Sequence, residues 1–357
     1  MKKIIQNILL LCLSTGIVLV ISEVAIRLTN IAYEPQFDNR VKITRPASNP
    51  FVKYELIPNY QGRALGGFVS VNSFGFRGPE VNQRKPEGVK RIAVLGDSWA
   101  FGWGVNQDEV VTTVVENMLN NFGKGKRFEV LNFSLFGYNL QQEETVLKEK
   151  VLAFEPDIVI FAFNVNDLEE LRLDSQNGSQ NGNKAEQNNK TWKKNFSLKE
   201  LPFITFRRVE IFGNEYSHLF RLVDNVLRGL ALQFHYDKPG KIFYYKGFYE
   251  EGTPQFSFVK SSFRRVGEYA REYQFEVCII YFPWMTELTQ GNPYLETFEK
   301  VRSVAEKEGF MTLNLFPFFK GHDVNKLRIS KIDGHPTALG HEIAAEAISE
   351  FILGKFR

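Results

Sequence analysis

The chain has 357 residues, 43% of them hydrophobic, and a formal net charge of +3. That length fits one large domain, or one domain with an insertion, behind a separate N-terminal segment. The mild basic balance is scattered rather than striped, which excludes a nucleic-acid footprint, and two cysteines without a Cys/His cluster exclude a zinc site or a disulfide framework.

The first element is apolar. Lys2 and Lys3 precede a run over residues 4–21 broken only by Gln6, Asn7, Ser14 and Thr15. Continued helically through Val24, Ala25 and Ile26, it reaches the roughly 20 residues of a membrane span. No Ala-x-Ala cleavage sequence follows. The pattern predicts one transmembrane signal anchor over residues 1–28, with the two lysines on the cytoplasmic side. The cytoplasmic membrane is then a partner, and the rest of the chain is extracytoplasmic.

Residues 29–88 carry little periodicity and read as an extracytoplasmic lead-in. Loops and short strands are expected at Tyr54-Glu55-Leu56-Ile57-Pro58-Asn59 and at Asn72-Ser73-Phe74-Gly75-Phe76-Arg77-Gly78. A strand–helix rhythm follows over 89–355. Apolar runs at 91–95, 128–133, 157–163, 275–282 and 310–315 predict five strands, continuous enough for a parallel sheet buried on both faces. Helical patterns fall at 109–121, 140–153, 258–272, 294–308 and 338–353. The alternation predicts a doubly wound, three-layer α/β sandwich. An insertion at 168–256 interrupts it. Its part at 174–194 is rich in Asn, Gln, Ser, Gly and Lys and reads as a flexible loop, and 218–232 reads as an amphipathic helix. The aromatic-rich part of the insertion suggests a cap over the site or a membrane-facing lobe.

Ligands of open parallel sheets bind beyond the carboxyl ends of the strands. The loops there carry Gly96-Asp97-Ser98, a stretch with Gly137, Asn166-Asp167, and Asp333-Gly334-His335. Acyl transfer at a serine needs a base near neutral pKa, a carboxylate to orient it, and donors for the oxyanion. Ser98, His335 and Asp333 can fill the first roles. The Ser98 and Gly137 N–H groups and the Asn166 amide are candidate oxyanion donors. Asp97 and Asp167 read as loop organisers, and His341 as a packing or capping residue. Neither nucleotide-binding glycine motif follows the first strand.

Gly96-Asp97-Ser98, Gly137, Asn166-Asp167 and Asp333-Gly334-His335-Pro336 occur in the order of four blocks of the SGNH (GDSL-like) hydrolases, and the chain resembles that superfamily. The flanking Asn-Ser-Phe-Gly-Phe-Arg-Gly and His-Pro-Thr-Ala-Leu-Gly-His stretches resemble a membrane-anchored bacterial branch of it. The resemblance implies a flavodoxin-like sheet, Ser98 as nucleophile, His335 as base and Asp333 as its partner. It further implies an oxyanion hole of Ser98, Gly137 and Asn166, and neither metal nor organic cofactor. Two departures stand out: Asn164 occupies a position usually Gly, and the acid sits two residues before the histidine rather than three.

The expected activity is a serine-dependent acyl-esterase outside the cytoplasmic membrane. Its partner would be an ester-bearing small molecule or an acylated glycan. Two alternatives stay open: an O-acyltransferase or deacylase of envelope or exported polysaccharide, and a non-catalytic envelope assembly protein that keeps the fold.

Overall fold

Nine strands are present among the described residues of the computed structural model, which are 2–29, 43–123, 125–169, 171, 217, 219, 222–223, 239–330 and 333–355. β1 (Thr44–Pro46) pairs with β2 (Tyr54–Leu56), and β3 (Gln61–Ala64) with β4 (Gly67–Ser70), each antiparallel. The five apolar runs become β5 (Val89–Gly96), β6 (Arg127–Asn132), β7 (Ile158–Phe163), β8 (Glu276–Tyr281) and β9 (Met311–Asn314). These five form one parallel sheet in the order β6-β5-β7-β8-β9. This is the flavodoxin-like order, and its reversal point lies between β5 and β7, where a crevice opens beyond the strand ends.

The sheet is buried on both sides because alternate residues feed different cores. Ile92, Val94, Ile158, Ile160, Cys278 and Ile280 pack with Val115 and Leu119 of helix Val111–Phe122 and with Ile343, Ala344 and Ile348 of helix Ala338–Lys355. Ala93, Leu95, Val159, Phe161, Val277 and Ile279 pack the other way. Their partners include Leu140 and Leu147 of helix Leu140–Glu149, Val259 and Phe263 of helix Pro254–Tyr273, and Phe298 and Val301 of helix Leu295–Lys307. The three layers follow from period-2 strands against period-3.6 helices. The caps are local: Asn139 and Gln142 make a reciprocal capping box, and Thr253 caps a helix that begins at Pro254.

The chain divides into two compact units, residues 1–34 with 176–238, and residues 35–175 with 239–357. In the first, the apolar start forms the helix Lys2–Thr29. The transmembrane span expected over residues 1–28 is not supported, because among the described residues no helix is long and apolar enough to cross a membrane. Ser14, Thr15, Ser22, Glu23 and Arg27 interrupt the later part of this helix, and Glu23 pairs with Arg27 at 2.6 Å. Glu23 also accepts bonds from Ser217 Oγ and the Leu219 N–H, each at 2.8 Å.

Residues 43–88 of the lead-in pack within the second unit. Ile43, Val52, Leu56, Leu65, Val69 and Phe76 join one of the two cores. The far end of the insertion also belongs here: helix Pro239–Phe248 and Tyr249, whose hydroxyl donates to Val165 O at 3.0 Å. The loop expected at 174–194 lies outside the described residues, as does nearly all of the helix expected at 218–232.

Candidate active site

β5 ends at Gly96, and the chain turns at once into the four-residue helix Ser98–Phe101. The turn is tight enough to require glycine: a Cβ on residue 96 would lie 2.9 Å from Ala162 Cβ and 3.0 Å from Ala100 Cβ. Asp97 caps the helix by accepting the Trp99 N–H at 2.9 Å. Ser98 therefore sits at the first helical position, above the sheet and beside the reversal point. Its N–H is one of those a helix cannot satisfy internally.

His335 comes from the loop before the last helix. Its Nε2 is 2.7 Å from Ser98 Oγ, and its Nδ1 is 2.6 Å from Asp333 Oδ1. The shortened spacing of acid and base works because Asp333 closes a small turn on itself: the same Oδ1 accepts the His335 backbone N–H at 3.0 Å. The loop is held from outside by Ile329 N donating to His335 O at 3.0 Å and by Asp333 N donating to Ser330 Oγ at 3.0 Å. Burial would raise the Asp333 pKa, but the side-chain and backbone bonds from His335, its positive form, and the Trp103 indole together hold it below the usual carboxylate range. Asp333 therefore stays ionised and fixes the His335 tautomer.

Asn166 donates through Nδ2 to Asp97 Oδ2 at 3.1 Å, which ties the loop after β7 to the serine turn and leaves a second amide hydrogen for another acceptor. The substitution of Asn164 for glycine is accommodated without a left-handed backbone, since Asn164 is absent from the positive-φ residues. Instead its Oδ1 accepts the Val165 N–H at 2.8 Å, and its N–H donates to Asp167 Oδ2 at 2.8 Å. Asp97 and Asp167 thus organise loops, as their positions suggested. His341 is buried and accepts the Val111 N–H on Nδ1 at 3.2 Å; burial pushes its pKa down to about 3, so it stays neutral.

Ser98, Gly137 and His335 line one open cleft of about 560 Å³. The rest of its wall was not foreseen. Thr44, Arg45, Pro46, Lys53 and Tyr54 line it from the first hairpin, and Trp103 and Phe136 from the loops. Trp103 lies parallel to the His335 ring, with centroids 5.3 Å apart and planes 22° apart. The Gly102-Trp103-Gly104 spacing could have drawn attention to Trp103. No local signal marks the hairpin.

Two buried features support the serine turn. Arg77, 1% exposed, spends all five guanidinium donors: on the carbonyls of Phe68, Phe101, Gly102 and Val105 and on Gln107 Oε1, at 2.6–3.1 Å. Below the turn, Asp97, Glu143 and Asp167 are buried and electrostatically coupled; burial first, and then one another's charge, raises the pKa of Glu143 and Asp167 well above the ordinary range. Among the described residues, no group of three or more His, Cys, Asp or Glu side chains is arranged to hold a metal ion.

A flavodoxin-like sheet with a Ser–His–Asp contact at its carboxyl edge is the architecture of a serine esterase. Residues 94–343 match the GDSL-like lipase/acylhydrolase family, and the chain belongs to it. Solved structures similar to it include TesA (14% identity, TM-score 0.40, covering 74% of this chain and 99% of that one). Another is the acetylxylan esterase Axe2 from Geobacillus stearothermophilus (15% identity, TM-score 0.41, 74% of this chain and 94% of that one). A third is a lipase/acylhydrolase from Enterococcus faecalis (14% identity, TM-score 0.39, 74% of this chain and 96% of that one). No curated protein matches the sequence.

Proposed function

We propose that the chain hydrolyses ester bonds through an acyl-enzyme on Ser98. The observation that carries this reading is the continuous contact from Ser98 Oγ through His335 to Asp333, at 2.7 and 2.6 Å. Both distances lie within reach for proton transfer in the resting state. His335 Nε2 accepts the Ser98 proton as Oγ attacks the ester carbonyl, and Asp333 stabilises the imidazolium. The negative charge on the carbonyl oxygen falls to the Ser98 and Gly137 N–H groups and the Asn166 amide. Collapse breaks the bond to the alcohol, which leaves with the proton from His335. Water then repeats the sequence and releases the acid.

The test is labelling by a fluorophosphonate together with hydrolysis of p-nitrophenyl acetate. Wild type should react with both, and Ser98→Ala with neither. A folded wild-type chain inert to both reagents at pH 8 would move the reading to an assembly protein that keeps the fold. If an added sugar acceptor diverts the acyl group from water, the protein is an O-acyltransferase sharing the same acyl-enzyme.

The proposed place of action is outside the cytoplasmic membrane. Support comes from the start of the chain, where Lys2 and Lys3 precede a long apolar run in the manner of an export segment. An acylated envelope glycan is a substrate within reach there. Protease added to intact spheroplasts should digest the catalytic unit, and full protection would refute the location.

A further inference from the structure

The loop that carries Gly137 is a turn with two possible states. Tyr138 N donates to Leu135 O at 3.1 Å, and Gly137 has φ of +72°. Together these define a type II turn over 135–138, with Gly137 at its third position. Types I and II differ by a flip of the central peptide, here Phe136–Gly137, which reverses the sign of φ at the third residue. The peptide is planar and trans, so a carbonyl fixed on one side sends the following N–H to the other. The side taken by the Phe136 carbonyl therefore decides where the Gly137 N–H points.

That carbonyl is held. Tyr54 Oη donates to Phe136 O at 2.6 Å, across 82 residues of chain. The same hydroxyl fills the space beside Gly137, where an added Cβ would lie 2.8 Å from it. Tyr138 Oη donates back to Tyr54 O at 2.8 Å, and the Tyr54 ring stacks on Phe136 with centroids 5.9 Å apart. Tyr54 belongs to β2, upstream of the residues 94–343 that match the family. The clasp on this loop thus comes from residues that precede the family match.

We propose that Tyr54 is a positioning residue of the oxyanion hole. Its hydroxyl keeps the Phe136–Gly137 peptide in the orientation that offers the Gly137 N–H to the reacting carbonyl oxygen. This rests on the role proposed above for Gly137. Tyr54 acts through the peptide, so its effect belongs to the transition state rather than to substrate binding.

The experiment is Tyr54→Phe, which removes the hydroxyl and keeps the ring. Losing one hydrogen bond of ordinary net strength lowers kcat about 2- to 13-fold. That is less than the roughly 10²- to 10³-fold expected for deleting an oxyanion donor outright. KM for p-nitrophenyl acetate should stay within about twofold, and affinity for a boronic acid transition-state analogue should weaken by the factor seen in kcat. A purely structural role would move the melting temperature without that split. A crystal structure of the variant should show the 136–137 peptide flipped or mixed. A peptide held as in wild type, or an unchanged kcat beside an active wild type, overturns the Tyr54 assignment alone. A wild type without hydrolysis overturns the proposed function, and the oxyanion role with it.

Discussion

Replacing Arg77 with methionine should be the most damaging single change outside the Ser–His–Asp contact. The side chain is 1% exposed, and each of its five N–H groups has an acceptor within 3.1 Å. Methionine fills most of the volume but offers no donor. Gln107 and Phe68 are exposed enough for their oxygens to turn to water, whereas the carbonyls of Phe101, Gly102 and Val105 lose Arg77 at a buried place, Phe101 O being left with a long contact to Asn132 Nδ2 and Gly102 O with one to the Val105 N–H, each at 3.5 Å. At the low end of about 1–3 kcal/mol for each buried group that loses a strong partner, the three carbonyls cost roughly 3 kcal/mol. Against a total stability of about 5–15 kcal/mol that is a large fraction. For a unit of this size it lowers the melting temperature by roughly 6–12 °C. Calorimetry of both proteins at pH 7 gives the number. Because Phe101 and Gly102 end the helix that begins at Ser98, p-nitrophenyl acetate turnover should fall even below the transition. A melting temperature within about 3 °C of wild type, with full activity, would refute the idea that Arg77 holds the serine turn.

Asp333→Asn should lower kcat by about 10²- to 10⁴-fold with little change in melting temperature, by releasing the His335 tautomer; a loss under tenfold would mean that His335 needs no partner. Gly96→Ala places a methyl 2.9 Å from Ala162 Cβ, so it should cost about 1–3 kcal/mol in urea unfolding and slow fluorophosphonate labelling. Wild-type stability and labelling would refute the close fit. Glu143→Gln tests the buried carboxyls. Burial and the charge of Asp97 raise the Glu143 pKa in the folded chain, so the folded state keeps a proton that the unfolded state releases. Stability from this group is therefore complete below the unfolded carboxylate range and is lost as pH rises toward the raised value. The variant's melting temperature should fall less between pH 5 and pH 8 than that of wild type, and parallel curves would refute the assignment.

The catalytic unit's sheet was legible because each strand writes its own signal. Ile158–Phe163 is six buried residues in a row, and the helices between the strands carry apolar stripes. Ser98, Gly137, Asn166 and His335 were legible as candidates because the topology of a parallel sheet brings strand ends to one edge. Asp333 was readable for a local reason, since an aspartate can bond the backbone two residues on and so reach the side chain there as well. The transmembrane reading of residues 1–28 came from counting apolar residues over the whole run, whereas among the described residues no helix is long and apolar enough to cross a membrane.

What escaped was long-range pairing. Tyr54 meets Phe136, Gln142 donates to Val52 O, and Arg77 bridges to Asn132, yet residues 43–88 have no periodicity that announces a partner some tens of residues away. A strand of three residues such as Tyr54–Leu56 is below the length at which alternation can be read. Such a segment is ordered by the surface it lands on, so its meaning lies in the fold it joins. The same reasoning explains Glu143: on its helix it is one polar residue among several, and only the packing of Leu140–Glu149 against the sheet makes it a buried acid. The residues proposed to do the chemistry are therefore readable from the strand ends, while those packed around them, Tyr54, Arg77 and Glu143, become readable only when distant parts of the chain are side by side.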